Sequence, residues 1–107
     1  MPTYNKLVRD KIPQIIEATG KKYTTEILND QDYIKYLKEK SYEELDEYCA
    51  AQTNEEAVEE LADLLEIIHA LASNHGSSIE EVEKVRQEKA EKRGGFHEKI
   101  FLVEVED

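Results

Sequence analysis

Two pairs of carboxylates stand at a three-residue spacing: Glu44 with Glu47, and Glu60 with Asp63. On a helix, residues three apart lie on one side, so each pair brings its oxygens together. Four carboxylates that converge repel one another strongly unless a cation lies between them. Mg²⁺, with Mn²⁺ as the alternative, prefers such oxygen ligands. The spacing therefore predicts a divalent-metal site, although acids at this spacing also arise by chance in a chain with 25 acidic residues.

The position of Glu60 within its predicted helix separates it from ordinary surface acids. At about 100° per residue, Glu60 falls within the apolar arc of that helix, beside Leu64, and Asp63 falls at the polar edge of the arc. Glu44 lies at the border of the packing face of the preceding helix. Because a buried carboxylate is costly unless it is paired or bound to a metal, Glu60 needs a partner. Lys40, four residues before Glu44, is the alternative partner of that acid in an ordinary helical ion pair.

Basic residues cluster at two places in this acidic chain. Lys6 and Arg9 lie near its start, and Lys89, Lys92 and Arg93 lie at the end of the last predicted helix. Cations in a last helical turn also stabilise the helix dipole, which is the plain structural interpretation of the second cluster. Both clusters are nevertheless candidates for binding phosphate oxygens.

The elements that position these residues are predicted to be helices, because apolar residues recur at three- and four-residue steps. We expect a short helix over 11–19 and long helices over 31–51, 54–74 and 79–93. Their predicted N-caps are Asp10, then Asn29 or Asp30, then Thr53, then Ser78. The fold class is therefore all-α, an antiparallel helical bundle in a single domain over residues 1–107. The segments 23–28 and 100–105 allow a small two-stranded β appendage.

Each of the first two long helices carries an apolar stripe that should pack on its neighbour. The stripe of helix 31–51 consists of Ile34, Leu37, Ser41, Leu45 and Tyr48. The stripe of helix 54–74 consists of Val58, Leu61, Ala62, Leu65, Ile68 and Ala72, widened by Leu64, Ile67 and Leu71. The short connections between the long helices favour antiparallel neighbours.

Composition narrows the classes of function. With 107 residues and a formal net charge of −11, the chain repels polyphosphate backbones, so we expect no polymeric nucleic acid as a partner. No apolar run is long enough to span a membrane. The start MPTYNKLVRDKIP has no apolar core of a signal peptide, and the single Cys49 cannot form an internal disulfide. We therefore expect a cytoplasmic protein.

Four short segments, which follow one another along the chain at 4–13, 43–47, 60–63 and 92–96, together resemble a known family. EELDE at 43–47 followed by ELAD at 60–63 is similar to the acidic signature of MazG-like all-α nucleotide pyrophosphatases. YNKLVRDKIP at 4–13 and KRGGF at 92–96 resemble the small stand-alone branch that is phosphoribosyl-ATP pyrophosphohydrolase-like. The resemblance covers nearly the whole chain.

The resemblance implies Mg²⁺-dependent cleavage between the α and β phosphates of a nucleoside triphosphate. Glu44, Glu47, Glu60 and Asp63 would be the metal ligands. Glu43 and Glu44 would be the catalytic acids, with Glu43 either supporting the metal ligands from behind or orienting the attacking water. The residues implied for the substrate phosphates are Lys6, Arg9, Lys89, Lys92 and Arg93. A homo-oligomer, either a dimer or a tetramer, is implied because the family usually builds its site between subunits.

Three functions remain open from the sequence. The first is nucleotide-pool house-cleaning by hydrolysis of canonical or altered nucleoside triphosphates. The second is the phosphoribosyl-ATP pyrophosphohydrolase step of histidine biosynthesis. The third is a non-catalytic helical oligomerisation protein, in which the acids are only surface. The base and sugar preference does not follow from the residues.

Overall fold

The computed structural model describes residues 2–107 and is all-helical. Its four helices are α1 (Ile12–Ala18), α2 (Asp30–Ala50), α3 (Asn54–Asn74) and α4 (Ile79–Arg93). Each agrees to within one residue with the helix predicted from the sequence, so the all-α class is confirmed. None of the helices in the described chain combines the length and the apolar character needed to cross a membrane.

Side-chain caps explain why the three long helices begin where they do. The side chain of Asn29 accepts a hydrogen bond from the backbone N–H of Asp32 at 2.8 Å, and Thr53 accepts one from Glu56 at 3.1 Å. Ser78 does the same for the N–H of Glu81 at 3.2 Å. Each cap satisfies a donor that has no partner within the helix. These signals are local in sequence, which is why they were predictable.

The first helix begins without the cap predicted for it. Asp10 does not cap α1; Lys11 holds the N-cap position, and no side-chain hydrogen bond is made there. Lys11 has helical backbone angles (φ −92°, ψ −2°), whereas a capping residue needs an extended backbone. The chain enters through a turn instead, with the N–H of Ile12 bonded to the carbonyl of Arg9 at 3.1 Å.

Helices α2 and α3 form an antiparallel hairpin that contains the whole core. Ala51, Gln52 and Thr53 connect them, and the buried apolar side chains are Leu37, Ile67 and Ala72. Leu37 lies fifteen residues before Gln52 and Ile67 fifteen residues after it, so a hairpin centred on Gln52 places them opposite each other. The same register pairs Glu44 with Glu60, eight residues on either side.

Helix α3 has two apolar faces, and only one of them packs on α2. The α3 residues that are buried or half-buried are Ala57, Glu60, Asp63, Leu64, Ile67, Ile68, Ala70, Leu71 and Ala72. Val58, Leu61, Ala62 and Leu65, predicted to belong to the packing stripe, are exposed instead. On α2, Leu37 is buried as predicted, but Leu45 and Tyr48 are exposed. Helix α3 therefore packs on α2 through the side that carries Glu60, and the side with Val58, Leu61 and Leu65 stays uncovered.

The predicted β appendage does not form. Within residues 2–107 no strand is present, and no backbone hydrogen bond joins the segments 23–28 and 100–105. A lone pair of strands is marginal in water unless a hydrophobic face packs on something. Here nothing covers them: Ile27 is 98% exposed, and the tail residues are nearly as open.

The rest of the chain packs loosely around the hairpin. Helix α4 contacts α3 only and has no buried residue, and α1 packs on no other helix of the described chain. The radius of gyration is 18.4 Å, against about 13 Å for a compact domain of this length. The accessible surface is 10084 Å², against about 6,100 Å² for a compact monomer of this mass.

Candidate active site

Three carboxylates converge where α2 and α3 face each other. Glu44, Glu47 and Glu60 each offer an oxygen, and these oxygens lie within 4.8 Å of one another. Glu44 and Glu47 are one turn apart on α2, and the hairpin register brings Glu60 of α3 opposite them. We call these three residues the carboxylate cluster.

Two oxygens of the cluster are buried and have no hydrogen-bond partner. They are Oε2 of Glu44 and Oε2 of Glu60. Glu44 is only 8% exposed, so the acid expected at the border of a packing face is the most buried of the cluster. Lys40 forms its ion pair with Glu43 at 3.7 Å, so the ordinary helical pair between Lys40 and Glu44 is not made. Glu44 therefore faces other acids without a balancing cation.

This crowding favours protonation of the cluster. Burial is the main reason why the pKa of Glu44 is raised, and repulsion from Glu47 and Asp63 adds to it. The pKa of Glu60 is raised to about 7. The largest cause is the hydrogen bond that protonated Glu60 can donate to Glu44, and the second is a hydrogen bond with Glu47. A proton thus relieves part of the repulsion that ionised oxygens without partners would suffer.

The fourth predicted ligand, Asp63, is held by a cation from the N-terminal segment. Nη2 of Arg9 donates to Oδ1 of Asp63 at 2.6 Å. Asp63 lies one turn after Glu60, close enough to repel Glu44, but it is outside the group of oxygens that converge. Arg9 is the predicted phosphate-binding residue that the structure brings to the acids.

The donor set fits a hard divalent cation. Such ions take carboxylate oxygens at short distances, and the cluster supplies three carboxylates with two buried oxygens that lack any other partner. Buried charges of one sign persist in proteins when they are paired or bind a metal. Glu44, Glu47 and Glu60 are thus the residues that could hold the ion, with Asp63 adjacent.

The comparison with protein families decides what kind of enzyme this is. A family model described as phosphoribosyl-ATP pyrophosphohydrolase matches residues 3–90. The chain belongs to this family. Its members, within the MazG-like all-α pyrophosphatases, are pyrophosphohydrolases that act on acid anhydrides and generally depend on a divalent metal. No curated protein and no solved structure matches the chain.

Membership sets aside the non-catalytic oligomerisation protein expected as an alternative, because this family consists of enzymes. The carboxylate cluster lies within the matched residues, as do the Arg9 and Asp63 side chains. The match ends at residue 90, so the last turn of α4, with Lys92 and Arg93, and the tail after it lie outside the match.

The other residues predicted to bind phosphate in this pyrophosphohydrolase form no ion pair with the acids of the site within residues 2–107. Lys89, Lys92 and Arg93 are exposed on α4 and form no ion pair within residues 2–107. Lys92 and Arg93 occupy the last turn of that helix, where they complement its dipole. Lys6 lies over the ring of Tyr4, with 5.7 Å from Nζ to the ring centroid. Among the predicted phosphate-binding residues of the described chain, Arg9 is thus the one that pairs with an acid of the site.

Sequence reasoning missed a pocket beside the cluster. The segment Tyr4, Asn5, Lys6 and Leu7 lies against α2 and encloses about 180 Å³ with Tyr36, Glu39, Lys40 and Glu43. Asn5 adopts a positive φ of 44°, a conformation that asparagine tolerates better than most residues. The two tyrosines carry no spacing signal, because they belong to segments that are far apart in sequence.

Proposed function

We propose that this pyrophosphohydrolase uses Mg²⁺, or Mn²⁺ in its place, to cleave a nucleoside triphosphate between the α and β phosphates. The products are the nucleoside monophosphate and pyrophosphate, and the biological role is house-cleaning of the nucleotide pool. The observation that carries the metal-dependent cleavage is the pair of buried oxygens without partners on Glu44 and Glu60, joined by Glu47 within 4.8 Å. A protein retains such a cluster when a cation completes it.

The chain's own residues have distinct tasks in this reaction. Glu44, Glu47, Glu60 and Asp63 would hold the cation, which when bound would offset phosphate charge and lower the pKa of water. Asp63 becomes a ligand when Arg9 turns from its carboxylate to a phosphate of the substrate. Bidentate guanidinium groups suit phosphate oxygens well.

We assign the attacking water to Glu43. Its carboxylate is exposed and directly precedes Glu44, so it can orient the attacking water and accept its proton. The water oxygen bonds to the α phosphorus. The bond from that phosphorus to the oxygen bridging the α and β phosphates breaks, and this oxygen leaves with pyrophosphate. Glu44 would contribute by helping to hold the cation. Lys89, Lys92 and Arg93 bind the outgoing phosphates once α4, or α4 of a second copy, closes on the site.

Phosphoribosyl-ATP is the second candidate substrate. It carries the same triphosphate, and the matching family is described by this activity. The two candidates differ at the base, where phosphoribosyl-ATP bears a second ribose phosphate. The carboxylate cluster recognises what the two substrates share, so it favours neither.

We also propose that the functional form is a homo-oligomer, either a dimer or a tetramer. The exposed apolar face of α3, formed by Val58, Leu61 and Leu65, is the surface that a second copy would cover. Large exposed apolar patches typically mark such interfaces. The surface exceeds that of a compact monomer by several thousand Å², which is ample for an obligate interface. Within each copy, we propose that residues 1–107 form one domain. We also propose a cytoplasmic location, because a nucleotide substrate and a single cysteine, Cys49, are typical of that compartment.

One assay tests the proposal directly. Pyrophosphate release should be measured with standard and modified nucleoside triphosphates and with phosphoribosyl-ATP, each with Mg²⁺, Mn²⁺ or EDTA. We expect metal-dependent release from at least one nucleoside triphosphate and a higher melting temperature with Mg²⁺. Release from phosphoribosyl-ATP alone would move the function to the second candidate. No pyrophosphate release from any substrate, together with no change of melting temperature with Mg²⁺, would contradict the proposal.

A further inference from the structure

We propose that the pocket between Tyr4–Leu7 and α2 binds the nucleoside part of the substrate, that is, its base and ribose, with Tyr4 and Tyr36 as the contacting rings. We call it the N-terminal pocket; it is lined by the eight residues given above. The inference rests on the proposed hydrolysis of a nucleotide, and it adds where the uncleaved part of that nucleotide lies.

The first support is the position of the pocket relative to the carboxylate cluster. Glu43 lines the pocket and directly precedes Glu44 of the cluster. Lys40 and Tyr36 lie about 6 Å and about 12 Å from Glu44 along the axis of α2, at 1.5 Å per residue. A nucleotide whose phosphates meet the cluster can therefore reach the pocket with its base. The N-terminal segment is held there at its other end, because Arg9 bonds to Asp63 at 2.6 Å.

The second support is the charge of the pocket lining. Lys6 and Lys40 balance Glu39 and Glu43, so the lining is neutral in a chain of net charge −11. Lys40 already pairs with Glu43 at 3.7 Å. A neutral lining gives a polyphosphate no advantage, whereas it supplies both donors and acceptors to an uncharged base and a ribose. This placement assigns Lys6 to the nucleoside rather than to the phosphates.

The third support is the kind and amount of surface in the pocket. Tyrosine rings stack on any base, because every base has a flat π-face. The volume of about 180 Å³ is below the range of about 300–1,000 Å³ that encloses a whole drug-sized ligand. The pocket therefore suits one ring system with part of its sugar, while the phosphates stay outside at the cluster.

Substitution of the two rings tests the assignment. Tyr36→Ala and Tyr4→Ala should each raise KM by about 5- to 150-fold, the loss of one stacked base, with kcat little changed. Tyr36→Phe should keep most of the affinity because it keeps the ring. Tyr42→Ala is the matched control, since Tyr42 is exposed on the same helix and outside the pocket. Tyr4 is largely exposed, so its variant folds even where Tyr36→Ala does not.

A binding measurement separates this inference from the proposed hydrolysis. Calorimetric titration with AMP, GMP, CMP and UMP in EDTA needs no turnover. Binding of at least one to the wild type, weakened in both alanine variants and kept in Tyr42→Ala, supports the pocket. Wild-type affinity and KM in both alanine variants overturn it, even if pyrophosphate is released. Absence of release overturns only the hydrolysis, and the titration still decides for or against the pocket.

Discussion

Arg9 and Asp63 are 54 positions apart in sequence, yet Nη2 of the arginine donates to Oδ1 of the aspartate at 2.6 Å. The contact fastens the N-terminal segment to α3 at the edge of the carboxylate cluster. A divalent cation at the cluster would therefore compete with the Arg9 guanidinium for Oδ1 of Asp63. A substrate phosphate would compete with Asp63 for Arg9. Metal binding and substrate binding thus both act against this one ion pair.

Replacement of Arg9 by alanine should have opposite effects on metal and substrate. The pair is exposed (57% and 40% of the side chains), so its loss should tighten Mg²⁺ binding by only about 1.5- to 5-fold. The lost charged hydrogen bond to phosphate should raise KM by about 10- to 150-fold. Calorimetry with Mg²⁺ and steady-state kinetics measure the two effects, and Lys11→Ala is the neighbouring control. Weaker Mg²⁺ binding in Arg9→Ala contradicts the exchange.

Removal of one charge from the cluster should separate activity from stability. Glu60→Gln keeps the shape of the side chain but relieves repulsion, so the metal-free protein should melt at the same or a higher temperature than the wild type. Turnover should fall about 100-fold or more, because a metal ligand is lost, and the Mg²⁺-induced thermal shift should shrink. Glu59→Gln, an exposed neighbour, should change neither property. A destabilised Glu60→Gln with nearly normal turnover would show that Glu60 is structural.

The stability of the metal-free protein should fall as the pH rises from about 4.5 to about 7. The pKa of Glu60 is raised to about 7 in the folded chain, against 4.5 for an ordinary glutamate. Between these values the folded state binds more protons than the unfolded state, so stability decreases with pH and then levels off. Thermal melts in EDTA at pH 5, 6, 7 and 8 measure the slope.

General repulsion among the acids gives a slope of the same sign, so the comparison with Glu60→Gln is essential. The variant should lack the part of the slope that ends near pH 7. Saturating Mg²⁺ should reverse the trend, because metal binding displaces the proton and is favoured at higher pH. Parallel slopes for wild type and Glu60→Gln would assign the pH dependence to other groups.

The sequence predicted the parts of this site that depend on one helix at a time. Caps such as Thr53 lie within three residues of the group they satisfy, so the helix ends were found. The helical wheel likewise placed Glu60 in an apolar arc, and Glu60 is half-buried with an unpaired oxygen. The wheel could not show that Glu44 is the more buried acid, because that depends on the register of α2 against α3. The three-residue connection around Gln52 was the available signal for this register.

Contacts between segments far apart in the chain could not be predicted from the sequence. Nothing near Arg9 or Asp63 marks them as partners, and the tyrosines of the N-terminal pocket share no repeat. The packing stripe of α3 was predicted too broadly for a related reason: Leu64, Ile67, Ile68, Leu71 and Ala72 are buried or half-buried as predicted, whereas Val58, Leu61, Ala62 and Leu65 are exposed. The helix is apolar on two sides, and periodicity alone does not tell which side meets α2 and which is left for another surface.

The uncovered side of α3 yields the last prediction. If Val58, Leu61 and Leu65 contact a second copy, Leu61→Asp should split the oligomer, because a charge buried in an apolar interface without a partner is costly. Light scattering after size exclusion should then give the mass of one chain, 12.4 kDa, and turnover should fall if the basic residues of α4 act across the interface. Ile27→Asp is the control, since Ile27 is 98% exposed but lies on the linker before α2. A wild-type protein that is already monomeric, or a Leu61→Asp variant with the wild-type mass, contradicts the interface.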